Sequence, residues 1–479
     1  VLAKKIVKNV VYNSSATLIA NFTGLILTIY LARVLKPSLF GIYSLSISIA
    51  FLLMTFTDLG ISPTTVRYIS EAYGKKDLEL VRGYIRYLGK VKFALSFIVS
   101  IILLISSKFL AVNVFHKPLL FKPLAIISFF VFFFSISGFV NSIFNGLNDF
   151  KANFLRSVSF HIPRLILVVL LVSIGFGVVG AIEGYVISAV LSLAIITKIL
   201  FSKYGEVVRG KTKRINKKRI LRFACYLSIG SITWVVFTYI DTVMIGMFLP
   251  SKDVGFYRAA YNIVGAVSAI VSFPCVLFPV FVQLEGRDLN RAFNRVFKYS
   301  AILSIPLVFW IIVLSGKLIK FVYGIEYIQA TPVLVILSIL ILRSSLGYWG
   351  VIFNAKEKPE YPVYITTTAM FINIVLNYIL IIKIGIVGAA IATAVSNAFG
   401  WISLSIICKK MFDIFFDIKT LTKILLSGII SILPIKLFVL TNLVSGLAFI
   451  SVSALIYLIL IIVTGVLSKE DLEYLKQIM

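Results

Sequence analysis

NFLRSVSFHIPRLILVVLLVSIGF, residues 153–176, decides how the chain is to be read. From Leu165 to Val172 it is unbroken apolar, and a helix of about 20 mostly apolar residues is what crosses the hydrocarbon layer of a bilayer. The first half differs: Asn153, Ser157, His161 and Arg164 fall on one face of a helix turning 100° per residue. An arginine at mid-depth costs about 2.5–3.5 kcal/mol even on the lenient insertion scale, so it faces a bundle interior or water. The stretch therefore reads as a membrane span with a wet side.

Working outward, fourteen runs of spanning length lie between residues 10 and 467, among them 10–33, 39–62, 178–201 and 221–249. The chain is 60% hydrophobic and 14% charged with a mean hydropathy of +1.03, which excludes an ordinary soluble domain. No segment between runs is long enough to build one. The first run, long and without a small-residue cleavage site, reads as a retained helix rather than a signal peptide. The expectation is an all-α polytopic protein of the cytoplasmic membrane, acting as a monomer.

The net charge of +28 sits in short clusters between the apolar runs, a topology signal and not a nucleic-acid surface. Basic residues favour the amino-terminal side roughly three to one, with Arg164 and Arg343 counted inside spans, so the positive-inside rule places both termini in the cytoplasm. The densest cluster, Lys203 to Arg222, divides the chain nearly in half, and such a segment is suited to lie along an anionic leaflet. There is no phosphate-binding glycine loop, no HExxH and no CxxC. Cys225, Cys275 and Cys408 have neither disulfide nor zinc spacing. No enzyme, cofactor or metal centre is expected.

The chain also repeats itself. A shift of 214 lays Ser14, Thr17, Thr28, Gly41 and Tyr43 on Ser228, Ser231, Thr242, Gly255 and Tyr257. A shift of 208 lays Gly177, Gly180, Ala181 and Ser188 on Gly385, Gly388, Ala389 and Ser396. Two six-helix lobes of the same sense, related by a pseudo-twofold axis along the membrane normal, account for this. The organisation expected is an amino-terminal lobe at 1–202, a basic cytoplasmic connector at 203–220, a second lobe at 221–411, and two additional helices with a tail at 412–479.

Polar stripes recur on equivalent spans: Ser14, Thr17, Asn21 and Thr28 on the first, Ser228, Ser231, Thr238 and Thr242 on the seventh. The eleventh carries Thr366, Asn373 and Asn377. Such residues either glue helices together or line a cavity. Matched stripes in two repeats favour a shared cavity, with Arg164, His161, Arg343, Asn21, Thr17, Ser231, Thr238, Asp241, Asn373 and Asn377 as its candidates. Asp241 lies about 60° off its stripe, and a tie between helices is its alternative reading. Asp58 reads as a helix-end, loop-ordering group. Pro163, Pro274, Pro279 and Pro306 fall where helices otherwise continue and allow kinks.

Leu31-Ala32-Arg33-Val34-Leu35-Lys36-Pro37 with Phe40-Gly41-Ile42-Tyr43, then Asp58-Leu59-Gly60-Ile61 and Arg67-Tyr68-Ile69-Ser70-Glu71, resembles the amino-terminal signature of polysaccharide-biosynthesis flippases. These belong to the multidrug, oligosaccharidyl-lipid and polysaccharide exporter superfamily. Tyr239-Ile240-Asp241-Thr242, Gly255-Phe256-Tyr257 and Ala260-Tyr261 are similar to that family's matching segment in the second half. The resemblance covers essentially the whole chain. It implies a transporter that moves a polyprenyl-phosphate- or pyrophosphate-linked oligosaccharide to the outer leaflet, with coupling to a Na⁺ or H⁺ gradient open. The competing readings are a cation-coupled multidrug antiporter of the same superfamily and a membrane glycan polymerase or glycosyltransferase. The antiporter needs a carboxylate cluster, and the first span has no acidic residue. The enzyme needs a sizeable outward loop, and the outward segments are short.

Overall fold

A computed structural model describes residues 2–271, 281–433 and 443–467; Pro274, Cys275 and Pro279 lie outside them. Helices account for nearly all of it, and there is no strand among the described residues. In chain order they are α1 (Leu2–Asp58), α2 (Ile61–Gly74), α3 (Leu78–Phe109), α4 (Phe121–Gly146), α5 (Phe150–Leu171), α6 (Gly177–Lys203), α7 (Gly205–Val208), α8 (Lys217–Phe248) and α9 (Ser251–Val271). There follow α10 (Gly286–Tyr323), α11 (Thr331–Leu337), α12 (Ile339–Leu346), α13 (Trp349–Ala355), α14 (Glu360–Ile384), α15 (Ile386–Phe412), α16 (Ile418–Ser431) and α17 (Leu443–Val463).

Nine helical stretches among the described residues are long and apolar enough to cross a membrane, and a further span is bent by 40° where Ile325–Leu337 meets Ile339–Ala355. Two of the nine carry two spans each. Val11–Asp58 has 48 residues, about 72 Å of helix at 1.5 Å per residue against a hydrocarbon layer of about 30 Å. It breaks at Lys36 (φ 61, ψ 167), because Pro37 bars the residue before it from helical geometry and itself offers no N–H. Phe150–Lys203 breaks at Gly175 (φ 102) and Gly177 (φ 55, ψ −133), torsions that belong to glycine. Gly385, the repeat partner of Gly177, breaks α14 from α15 with nearly the same torsions, φ 65 and ψ −144. The two glycines paired by the shift of 208 thus share one backbone conformation. Of the last two expected spans, α16 overlaps the first part of 420–441 and α17 overlaps 443–467, and 434–442 lie outside the described residues.

By packing, the chain forms two compact units, residues 1–258 and 259–479. In the first, α5 and α6 approach so closely that a Cβ on Gly184 would lie 2.6 Å from the Val168 side chain. Asp77, Asp149 and Asn216 cap α3, α5 and α8 through their side-chain oxygens. In the second, Phe293, Phe297, Phe353 and Trp349 are buried around α10 and α13, with Phe293 and Trp349 rings 4.5 Å apart. Lipid is as apolar as these side chains, so close packing and hydrogen bonds, rather than exclusion from water, hold each unit together.

Candidate functional site

Arg164 is the most demanding side chain in the first unit. It is 8% exposed, and neither Nε nor Nη2 has a hydrogen-bond partner among the described residues. Its guanidinium carbon stands 5.4 Å from the Phe160 ring centroid and 5.1 Å from that of Tyr185 on α6. Tyr185 in turn shares a 2.7 Å hydrogen bond with Tyr43 of α1. Stacking on two rings offsets part of the desolvation, about 0.5–2 kcal/mol per contact. It supplies no acceptor. A cation buried here leaves Nε and Nη2 desolvated and uncompensated.

Its neighbours extend the site. His161 sets its ring edge-on to Phe160 at 5.0 Å, and its buried Nδ1 is also without a partner. Phe160 packs tilted against Phe134 at 4.8 Å, and Arg156 lies 5.0 Å from the Phe134 ring while its Nε donates to Ser137 Oγ at 3.0 Å. An aromatic wall therefore carries one guanidinium at each end. Gly24 of α1 lies beside the cation, where a Cβ would meet Arg164 Nη2 at 3.9 Å, an ordinary contact.

The rest of the fifth-span stripe is glue. Asn153 Nδ2 donates to Asn13 Oδ1 at 3.2 Å and Ser157 Oγ to the Ala16 carbonyl at 3.0 Å, fastening α5 to α1. Thr17 and Asn21 are exposed on α1, Thr17 returning its hydroxyl to the Asn13 carbonyl. Ser231, with Thr55, Asp58, Phe51 and Ser228, lines a cavity of about 210 Å³ between α1 and α8. Thr238, half-buried further along α8, returns its hydroxyl to the Trp234 carbonyl at 2.8 Å. Asp241 is 1% exposed and accepts a 2.7 Å hydrogen bond from Tyr257 of α9.

In the second unit Asn373 and Asn377 are buried on α14, joined by a 3.0 Å bond from Asn377 Nδ2 to Asn373 Oδ1. Arg343, in the last turn of α12, lines a separate apolar cavity of about 250 Å³ with Leu346, Asn397 and Trp401. Arg164 and His161 thus share one site, and Arg343 and the asparagine pair do not share a cavity.

Arg164 and Arg343 are not the only cations inside spans. Besides Arg156, Lys92 on α3 is buried and reaches Asp58 Oδ1 at 2.7 Å. Both sit near the ends of their runs, where a positive charge looks like a topology signal. Asp58 also accepts from Ser62 Oγ at the α1–α2 turn, and Thr57, Ser96 and Ser135 continue the polar chain beside it. Its loop-ordering role stands, joined to a tie between α1 and α3.

The family model described as "Polysaccharide biosynthesis protein" matches residues 6–285. The chain is 25% identical over 441 residues to an uncharacterized membrane protein, MJ1068, of Methanocaldococcus jannaschii, covering 85% of each chain. It is 31% identical over 190 residues to the probable low-salt glycan biosynthesis flippase Agl15 of Haloferax volcanii, covering 38% of this chain and 40% of that one. The solved structure of the lipid II flippase MurJ in an inward closed conformation superposes with a TM-score of 0.76 at 20% identity, covering 95% of this chain and 99% of that one, a likeness of fold.

Proposed function

The chain belongs to the polysaccharide biosynthesis protein family, and on that premise we propose that it is a transporter flipping a polyprenyl-phosphate- or pyrophosphate-linked oligosaccharide across the cytoplasmic membrane. The observation that carries the reading is Arg164, a buried guanidinium with two unanswered donor atoms. Arginine suits a phosphate oxygen pair because its planar fork donates two parallel hydrogen bonds, where lysine offers a point charge. Arg156, at the other end of the same aromatic wall, gives the anion a second cation nearby. The polyprenyl tail stays in the bilayer while the glycan crosses in the wet interior. Both termini face the cytoplasm, two six-helix lobes at 1–202 and 221–411 alternate access, and a Na⁺ or H⁺ gradient drives the cycle. Asp241, a carboxylate buried on α8, is the group suited to bear the coupling ion.

Proteoliposomes loaded with a fluorescent polyprenyl-phosphate oligosaccharide test this. Arg164→Lys should transport at a reduced rate, and Arg164→Ala should fall by about 100-fold or more, the worth of roughly 3 kcal/mol of charge-assisted hydrogen bonding. An Arg156→Ala, Arg164→Ala double variant that inserts normally and transports at the unaltered rate would overturn the assignment.

A further inference from the structure

A Cβ placed on Gly41 would lie 1.8 Å from the carbonyl oxygen of Ser251, and one placed on Gly255 would lie 2.3 Å from that of Pro37. The repeat shift of 214 carries Gly41 onto Gly255 and Pro37 onto Ser251. The two approaches are therefore one contact and its image, a local twofold meeting of the second half of α1 with the start of α9. Next to it the Leu45 side chain fills the space over Gly246, 2.6 Å from where a Cβ would stand. Lys117, in the turn between α3 and α4, spans the same place: its Nζ donates to the carbonyls of Gly246, Leu249 (2.9 Å) and Phe115 (3.1 Å). Gly246 and Leu249 end α8, where unpaired carbonyls and the negative end of the helix dipole favour a cation.

All these segments follow odd-numbered spans, so they lie on one side of the membrane, opposite the amino terminus. We propose that the reciprocal Gly41–Gly255 contact is the closed outer gate and that Lys117 is its latch. A contact between repeat copies of one segment is where copies that rock about their shared axis must part. Backbone against backbone, without interlocking side chains, seals tightly and separates without repacking a core. Lys117 then holds the closed form by its bonds to the Gly246 and Leu249 carbonyls, which exist only while α8 ends beside the α3–α4 turn. The gate rests on the transporter reading above, but it can be read without a substrate.

The test uses the full chain with its native cysteines replaced and Ser231→Cys as a reporter in the α1–α8 cavity, exposed to a membrane-impermeant thiol reagent outside intact cells. The parent should label slowly. Gly41→Ala, Gly255→Ala and Lys117→Met should each speed labelling by about tenfold or more, a shift that about 1.4 kcal/mol of lost closure produces. Leu45→Cys with Gly246→Cys, without the reporter, should form a disulfide that stops transport until it is reduced. Fast labelling of the parent, or glycine and Lys117 variants that insert normally and label at the parent rate, would overturn the gate. Should a glycine variant fail to insert, Lys117→Met and the disulfide decide. Labelling that changes as expected in a protein that moves no glycan leaves the gate standing and contradicts the proposed substrate.

Discussion

Arg164 and Lys92 are both cations inside spans, and their surroundings assign them opposite roles. Lys92 is 3% exposed and meets Asp58, so it holds α1 to α3. Removing one member of a buried pair strands the other, at a cost of about 3–5 kcal/mol. Asp58 is 28% exposed and water screens part of that, so Lys92→Met should cost nearer about 2 kcal/mol. Adding Asp58→Asn should restore most of the loss, as thermal unfolding in detergent would show. Arg164→Ala, by contrast, should leave stability unchanged within about 1 kcal/mol, since no protein group depends on its Nε or Nη2. Arg164 was legible in the sequence because it stands well inside its run, directly before the unbroken apolar stretch Leu165 to Val172. Arg156 and Lys92 were not, since a charge near a run's end serves orientation and burial alike. Nor does spacing tell glue from cavity: Ser157 and Arg164 share a face, yet only one is answered by a neighbouring helix.

Among elements, the breaks carry the topology. Gly177 and Gly385 hold torsions that a side chain resists, so Gly177→Ala and Gly385→Ala should each destabilise by about 1–3 kcal/mol. Gly138, inside α4 with open space around it, is the control: Gly138→Ala should be neutral or stabilise by about 0.5–1 kcal/mol. The shift of 208 paired Gly177 with Gly385, but that both would break their helices was not read from it. Lys36–Pro37 was legible as a turn between spans, but the reach of Gly41 across to Ser251 was not, since a close approach depends on packing partners far away in sequence.

The connector behaves as a docked element. Arg82 donates to the Glu206 carbonyl at 2.7 Å, Arg86 to that of Gly210 at 2.8 Å, and Lys213 pairs with Asp77 at 2.9 Å. The Lys213 hydrogen bond, joined by the Leu80 N–H, holds the Asp77 carboxyl below its ordinary value. A lowered carboxyl pKa contributes to docking above the ordinary value and loses that contribution as pH falls through the lowered one. Hydrogen exchange across 209–216 should therefore rise below about pH 4. Asp77→Asn should exchange quickly at every pH, and a pH-independent parent would speak against this clasp.

For the whole molecule, composition and run length were enough to give a many-span helical membrane protein. The repeat was legible because glycine and proline positions are constrained by backbone geometry. Which buried polar atoms lack partners was not, because that requires coordinates. The proposed topology is tested at the connector: a cysteine at Lys211 should react with an impermeant reagent only after the cell membrane is breached. The most direct measurement is flipping itself, with purified chain in liposomes of defined lipid and a labelled polyprenyl-phosphate oligosaccharide placed in one leaflet. The account predicts protein-dependent movement to the other leaflet that is lost with Arg164→Ala and slowed with Arg164→Lys. Movement no faster than in protein-free vesicles, under either a Na⁺ or an H⁺ gradient and with a range of glycans, would contradict it.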